Sequence, residues 1–206
     1  MYLPLFPLKL VAFPGEELNL HIFEPRYRQL IADVEAGQGR FGVCAYLDKL
    51  SGFGTEMELV KIHKRYDDGR MDIMTLGKRV FKLKSFDNPL PGKLYAGGEV
   101  EFFRDSDRIT PSLKYEYIFY LKEILYLLSY PHEIAVETVN SYTYAHKVGL
   151  SLEEELELIQ LPSEGERVAF LTQHFKRIIP MLKAAEQAKE KIKQNGHFKH
   201  LDPLNF

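Results

Sequence analysis

Four prolines in the opening segment limit what this chain can fold into more than any other feature. Residues Leu3–Arg28 read LPLFPLKLVAFPGEELNLHIFEPRYR, largely apolar, with Pro4, Pro7, Pro14 and Pro25 spaced along them. Each proline lacks an amide proton and fixes its own φ, so no helix can run through the segment before Pro25. An edge strand or an irregular extended stretch remains for the opening run. Phe13-Pro14-Gly15-Glu16 has Pro then Gly at its centre, the chemistry of a type II turn. Leu18, Leu20 and Ile22 then alternate with Asn19 and His21, the period of a half-buried strand. Pro25 suits a first helical position and forces Glu24 into extended backbone. Tyr27, Leu30, Ile31 and Val34 follow at helical spacing, and Gly37 ends the helix. The prolines therefore punctuate strand, turn, strand and helix.

Phe41–Leu47 reads as a buried strand, and Gly52 and Gly54 as the flanks of a loop. Met57–Tyr66 and Arg70–Phe86 read as strands joined by a hairpin at Asp67-Asp68-Gly69. Asn88-Pro89-Leu90-Pro91-Gly92 is a turn, and Leu94–Phe103 a further strand. Six strands with one short helix among them suit a small closed or partly closed barrel better than a doubly wound sheet. After Asp105 the pattern is helical. Thr110-Pro111 caps and starts a helix carrying Leu113, Tyr117, Tyr120, Leu121, Ile124 and Leu128, which Pro131 stops. A second helix is expected over Glu133–Lys147, and Ser151/Glu154 and Ser163/Glu166 have capping-box spacing. A last helix places Val168, Leu171, Phe175, Ile178 and Leu182 on one face, with a kink at Pro180 and a stop at Asn195-Gly196. The expected class is α+β: a β-barrel lobe with one short helix over residues 1–106, then an α-helical bundle lobe over 107–206, with order after residue 196 left open.

A chain of 206 residues buries about 70% of its unfolded surface and needs no staples. Its net charge is -2, and acidic and basic residues balance in each half, so neither half is a polybasic nucleic-acid or membrane module. Cys44 is the one cysteine, which excludes an intrachain disulfide and fits a reducing cytoplasm. The first basic residue is Lys9, so the start lacks the charged head of a secretion signal. The most apolar helix, Leu113–Leu128, contains Lys114, Glu116, Lys122 and Glu123 and is too short and too charged to span a bilayer.

Catalytic signatures are missing. Lys78 follows Gly77, but Arg79 occupies the position a phosphate loop gives to Ser or Thr. Gly52-Phe53-Gly54 lacks the third glycine of a dinucleotide turn. His132-Glu133 has no second histidine at metalloprotease spacing, and His197 with His200 is too small a set for zinc. Cys44, within an apolar strand, reads as a packed core thiol. No catalytic residue, metal ligand or cofactor site is therefore assigned. Two features can bind. Lys78, Lys82 and Lys84 share a strand face, with Lys61, His63 and Arg65 in a similar row beside them. These form either a solvated face that blunts edge aggregation or an RNA-binding face. The second feature is tyrosine: the chain has 12 and no tryptophan. Tyr115, Tyr120, Tyr126, Tyr142 and Tyr144 are candidates for an amphipathic peptide-binding surface, against the plainer reading of core packing with hydroxyls outward.

The opening LPLFPLKLVAFPGEELNLHIFEPRYRQLI resembles the start of the Lon protease N-terminal domain, with its Leu-Pro-Leu-Phe-Pro-Leu-like run, Pro-Gly turn and Phe-Glu-Pro-Arg-Tyr-like segment. Gly54-Thr55, the strand to Ile62, the Asp68-Gly69 turn and Gly77-Lys78-Arg79-Val80-Phe81 follow in the family's order. The resemblance is specific over residues 3–103 and rests on helix pattern from 110 to 195. It implies recognition of unfolded or tagged protein substrates. The chain stops within the helix that leads, in full-length Lon, to ATPase and Ser-Lys protease modules, so neither activity is expected and the domain reads as free-standing and non-catalytic. An adaptor or sensor role in protein quality control, with a separate protease or chaperone as partner, extends that reading. The family's barrel is similar to PUA-like folds, some of which bind RNA, which keeps RNA as the alternative. Pro14, Gly15, Glu24, Pro25, Arg26, Tyr27 and Arg79 are family-signature positions with a structural role. Glu24 is expected to cap its helix and to accept a bond from an arginine such as Arg79.

Overall fold

The computed structural model describes residues 1–103, 108–130 and 134–197, with side chains to residue 193. Its elements are β1 (Tyr2–Leu8), β2 (Glu17–Ile22), α1 (Pro25–Ala36), β3 (Arg40–Tyr46), β4 (Leu50–Arg65), β5 (Met71–Leu83), β6 (Ala96–Phe102), α2 (Pro111–Leu127), α3 (Leu152–Gln160) and α4 (Glu164–His197). They fall into two compact units. One joins Met1–Arg108 with Asn140–Arg167, and the other joins Ile109–Val139 with the chain from Val168 onward. The division therefore differs from a single cut after residue 106, because 140–167 returns to the strand-rich unit.

The six strands of the first unit run in the order β2-β5-β4-β3-β1-β6. β6 also pairs with β5, from Phe81↔Phe102 to Leu83↔Val100, so the hydrogen-bonded path through five strands returns to β5 while β2 flanks it. β1 is not an edge strand, in contrast to the expectation from its prolines. It pairs with β6 over Tyr2–Leu5 and with β3 over Leu5–Leu8. Only Leu5 is paired on both sides, so each half of β1 uses one edge. Pro4 and Pro7 then break no ladder by lacking a donor on the other.

Gly52 and Gly54 lie inside β4, not at a loop. The reason is packing. A Cβ on Gly54, or on Gly42 of the neighbouring strand β3, would lie 2.7 Å from Cζ of the fully buried Phe81. The two missing side chains make the space that the ring fills, beside Leu3, Leu5, Cys44, Ala96 and Val100. On another part of the sheet, α1 buries the four residues its spacing predicts, Tyr27, Leu30, Ile31 and Val34. They pack with Phe6, Ile22, Phe41, Met57, Met71 and Ile73. Lys93 and Tyr95 both bond Asp33 on α1, at 2.7 and 2.6 Å, and the Lys93 bond is the larger cause holding that carboxyl below its ordinary range.

The Phe13–Glu16 turn forms as its sequence predicts: Glu16 N–H donates to the Phe13 carbonyl, and Gly15 has φ 82°. Gly77 then makes two backbone bonds to the turn, accepting from Gly15 N–H and donating to Glu16 O, both 2.9 Å. A side chain at Gly77 would strike the Phe13 carbonyl. The turn also explains why 140–167 belongs to this unit. Phe13 stacks on Tyr142 at 5.4 Å and touches the His146 ring at 4.6 Å. His146 bridges Glu155 (2.7 Å) and Glu16 (3.2 Å), and these two carboxylates, Glu155 first, raise its pKa to about 9.

The helix expected over Glu133–Lys147 does not form in its described part, residues 134–147. Turns occupy it, ending in a short 3-10 segment at Ala145–Lys147. Asn140 Oδ1 accepts from the amides of Tyr142 and Thr143, and Thr143 Oγ1 accepts from Asn140 N–H. These local bonds compete successfully with a helical ladder. The Ser151/Glu154 capping box is complete at the start of α3, and Ser163 caps α4.

In the second unit, Thr110 Oγ1 accepts from Leu113 N–H and Pro111 starts α2, as expected. Pro131 lies outside the described residues. Glu116–Lys176 and Glu123–Lys183 ion pairs and the stacked rings of Tyr117 and Phe175 put α2 and α4 side by side in parallel. α4 continues through Pro180 and through the expected Asn195-Gly196 stop to His197, the last described residue.

Candidate functional site

A cleft of about 310 Å³ opens in the first unit, lined by Pro7, Arg26, Tyr27, Tyr46, Leu50, Phe86 and Asn88. Four separate stretches build it: the end of β1, the first turn of α1, the β3–β4 connection and the segment after β5. Its wall shows what the Glu-Pro-Arg-Tyr motif does. Pro25 starts α1, which sets Tyr27 against Phe6 with ring centroids 3.7 Å apart. Arg26 lies over the outer Tyr27 ring at 4.5 Å and is held there by Glu24 at 2.7 Å. Glu24 therefore does not act as expected. It makes no side-chain cap and no bond to Arg79; its carboxylate fixes Arg26, and only its backbone carbonyl receives the first helical amides. The cleft is mostly apolar and aromatic, with Arg26 and Asn88 as polar groups. Such a site suits an apolar side chain on an extended chain, whose backbone the polar groups can bond. At this volume it takes one or two side chains, not a folded surface.

Arg79 pairs with Glu56 instead, through Nε (2.9 Å) and Nη2 (3.2 Å), while Arg40 reaches the same carboxylate at 3.2 Å. Glu56 is fully buried, so its charge is compensated by two guanidinium groups at the sheet surface. The sequence reading missed it. Nothing local set it apart, because Glu58 lies two residues further along the same strand and is half-exposed, whereas Glu56 is buried.

The lysine rows do not form a free basic stripe. Lys78 is paired with Glu58 at 2.8 Å and Lys84 with Glu101 at 2.5 Å, and each lysine holds its partner's carboxyl below the usual range. In the other row Arg65 is paired with Glu35. The β4–β5 register shifts near Val60 and His63, so Lys61, His63 and Arg65 do not follow a simple alternation.

The five candidate tyrosines are divided between the units. Tyr142 and Tyr144 lie in the first; Tyr142 is packed between Phe13 and the Arg167 guanidinium. Tyr115, Tyr120 and Tyr126 lie on α2 in the second. Tyr115 and Tyr126 are 78% and 65% exposed and share a helix face with exposed Phe119, whereas Tyr120 is half-buried. Cys44 is buried, and that burial pushes its thiol up to about 12, which leaves it unreactive as expected. Among the described residues no group of His, Cys, Asp and Glu is placed to hold a metal, and no helix is long and apolar enough to cross a membrane. His132, Glu133, His200 and the side chain of His197 lie outside the described residues.

Solved structures share this architecture. A Lon N-terminal domain protein from Xanthomonas campestris is 27% identical, with a TM-score of 0.66, covering 83% of this chain and 96% of its own. The N-terminal domain of a Mycobacterium avium complex Lon protease is 16% identical, with a TM-score of 0.67 over 85% and 98%, a likeness of fold alone. A family model described as the ATP-dependent protease La (LON) substrate-binding domain matches residues 2–177, which takes in the turn at Phe13–Glu16, the Glu-Pro-Arg-Tyr wall and the 140–167 segment. This chain belongs to that LON substrate-binding domain family.

Proposed function

We propose that this chain binds extended, apolar segments of other proteins and performs no chemistry on them. The observation that carries this is the aromatic cleft around Tyr27, Tyr46 and Phe86, in a member of a substrate-binding family. Closure of the sheet by β6 supports reading the first unit as a small barrel with the cleft on its outside. Among the described residues β2 pairs only with β5, so its outer edge can take an added strand beside a bound segment. The exposed Tyr115–Phe119–Tyr126 row on α2 offers further apolar contact for the same class of ligand. Affinity is weak and tolerant of sequence, because the captured segment must be ordered. Use as an adaptor or sensor, handing clients to a separate protease or chaperone in the cytoplasm, extends this reading. The ion-paired lysines give no support to RNA binding.

The test is fluorescence anisotropy with a peptide carrying internal Phe residues and blocked at both ends. Tyr46→Asp puts a charge into the cleft at an exposed position and should weaken binding about tenfold without changing the melting temperature. Unchanged binding by a folded Tyr46→Asp variant overturns the assignment.

A further inference from the structure

We propose that a second cleft of the first unit receives the free C-terminus of a polypeptide that ends in an apolar residue. This rests on the reading that the chain binds protein segments, and it names a different site and a different part of the ligand. The cleft is about 290 Å³. Val80, Phe103, Tyr142, Ile159 and Leu161 supply apolar lining, and Lys78, Arg79 and Arg167 supply three cations.

The charges leave room for one carboxylate. Lys78 is matched by Glu58 and Arg167 by Glu164, but Arg40 and Arg79 share the single carboxylate of Glu56. One positive charge is in excess where Arg79 lines the cleft. Arg79 is also held in place. Glu56 fixes Nε and Nη2, and the guanidinium lies 3.8 Å from the Phe102 ring centroid. Nη1 makes no hydrogen bond among the described residues, and the side chain is half exposed. A guanidinium fixed on one edge and one face, with donors left over beside an apolar cavity, is a preorganised carboxylate receptor.

A chain terminus matches this combination better than an internal acidic residue does. At a C-terminal apolar residue, the carboxylate and the side chain leave the same Cα, so one enters the apolar space while the other meets the cations. An internal Asp or Glu would present its charge with no apolar group beyond it. The small volume also suits the last one or two residues of a chain.

The test compares two fluorescein-labelled Gly/Ser decapeptides ending in Val-Leu, one with a free acid and one with a C-terminal carboxamide, on the full chain. The free acid should bind about tenfold more tightly, with an advantage that shrinks as salt is raised. Lys78→Glu, at a partly exposed position, should remove the advantage while lowering the melting temperature by only a few degrees, about what loss of the exposed Glu58 pair costs; Arg79 is avoided because Glu56 depends on it. Equal binding of acid and amide, absence of saturable binding by either, or a preference that survives Lys78→Glu overturns the proposal. The doubly blocked Phe peptide reports separately on the cleft at Tyr46. If it binds and the acid preference is absent, this site fails and the aromatic cleft stands; the reverse result removes the aromatic cleft alone.

Discussion

Arg79→Met should strongly destabilise the first unit, and the reason lies with Glu56. That carboxylate is 0% exposed and accepts three hydrogen bonds, two from Arg79 and one from Arg40. The substitution removes two of the three and leaves a buried charge with one partner at 3.2 Å. Breaking a buried pair from one side costs about 3–5 kcal/mol. For a chain of this length each kcal/mol moves the melting temperature by about 2–4 °C, so a fall of roughly 6–20 °C follows. Glu56→Leu combined with Arg79→Met removes the stranded charge and leaves Arg40, one-third exposed, in contact with water. The double variant should recover to within about 2 kcal/mol of the parent. Thermal and urea unfolding followed by circular dichroism measure both. A single variant that loses less than about 1 kcal/mol, or a double variant no better than Arg79→Met alone, would refute the account of Glu56 as a compensated buried charge.

The other predictions concern the turn and the caps. His146 has its pKa raised to about 9 in the folded protein, so its contribution is fully present below about 6.5 and is lost as pH rises through about 9. With the side chain 36% exposed, solvent screening limits this to about 1–2 kcal/mol. The stability difference between parent and His146→Gln should therefore shrink between neutral and alkaline pH, and a constant difference contradicts the bridge. Gly77→Ala should cost more than about 2 kcal/mol in urea unfolding, because its methyl displaces the Phe13 carbonyl and breaks the bonds of Gly77 with Gly15 and Glu16. Ser151→Ala should cost about 1 kcal/mol by opening the α3 capping box, and a neutral result would show that the cap is redundant.

The legible features were those written in local chemistry. Pro25 with Tyr27, Leu30, Ile31 and Val34 specifies α1 and its buried face, and Pro14-Gly15 specifies a turn, because neighbouring residues alone decide both. The capping residues Thr110, Ser151 and Ser163 were equally readable. What failed depended on distant partners. Pro4 and Pro7 sit in a strand with neighbours on both sides only because β1 changes partner at Leu5. Gly54 belongs to a strand because Phe81 needs its missing side chain. The return of 140–167 to the strands rests on Tyr142 and His146 meeting Phe13 and Glu16, more than 120 residues away in the chain. For the candidate site, Arg26 and Tyr27 stood out as a motif with no ligand attached to it. Tyr46, Leu50 and Phe86 carried no signal, since the first two reach the cleft from the β3–β4 connection and the third from the segment after β5.

The most direct measurement is a backbone-amide NMR titration of the isotope-labelled chain with the doubly blocked Phe peptide. The account predicts saturable shifts centred on Tyr46, Leu50, Phe86 and the first turn of α1, with the amides around buried Glu56 unmoved. Shifts confined to other surfaces, or a spectrum that does not change as peptide is added, would contradict it.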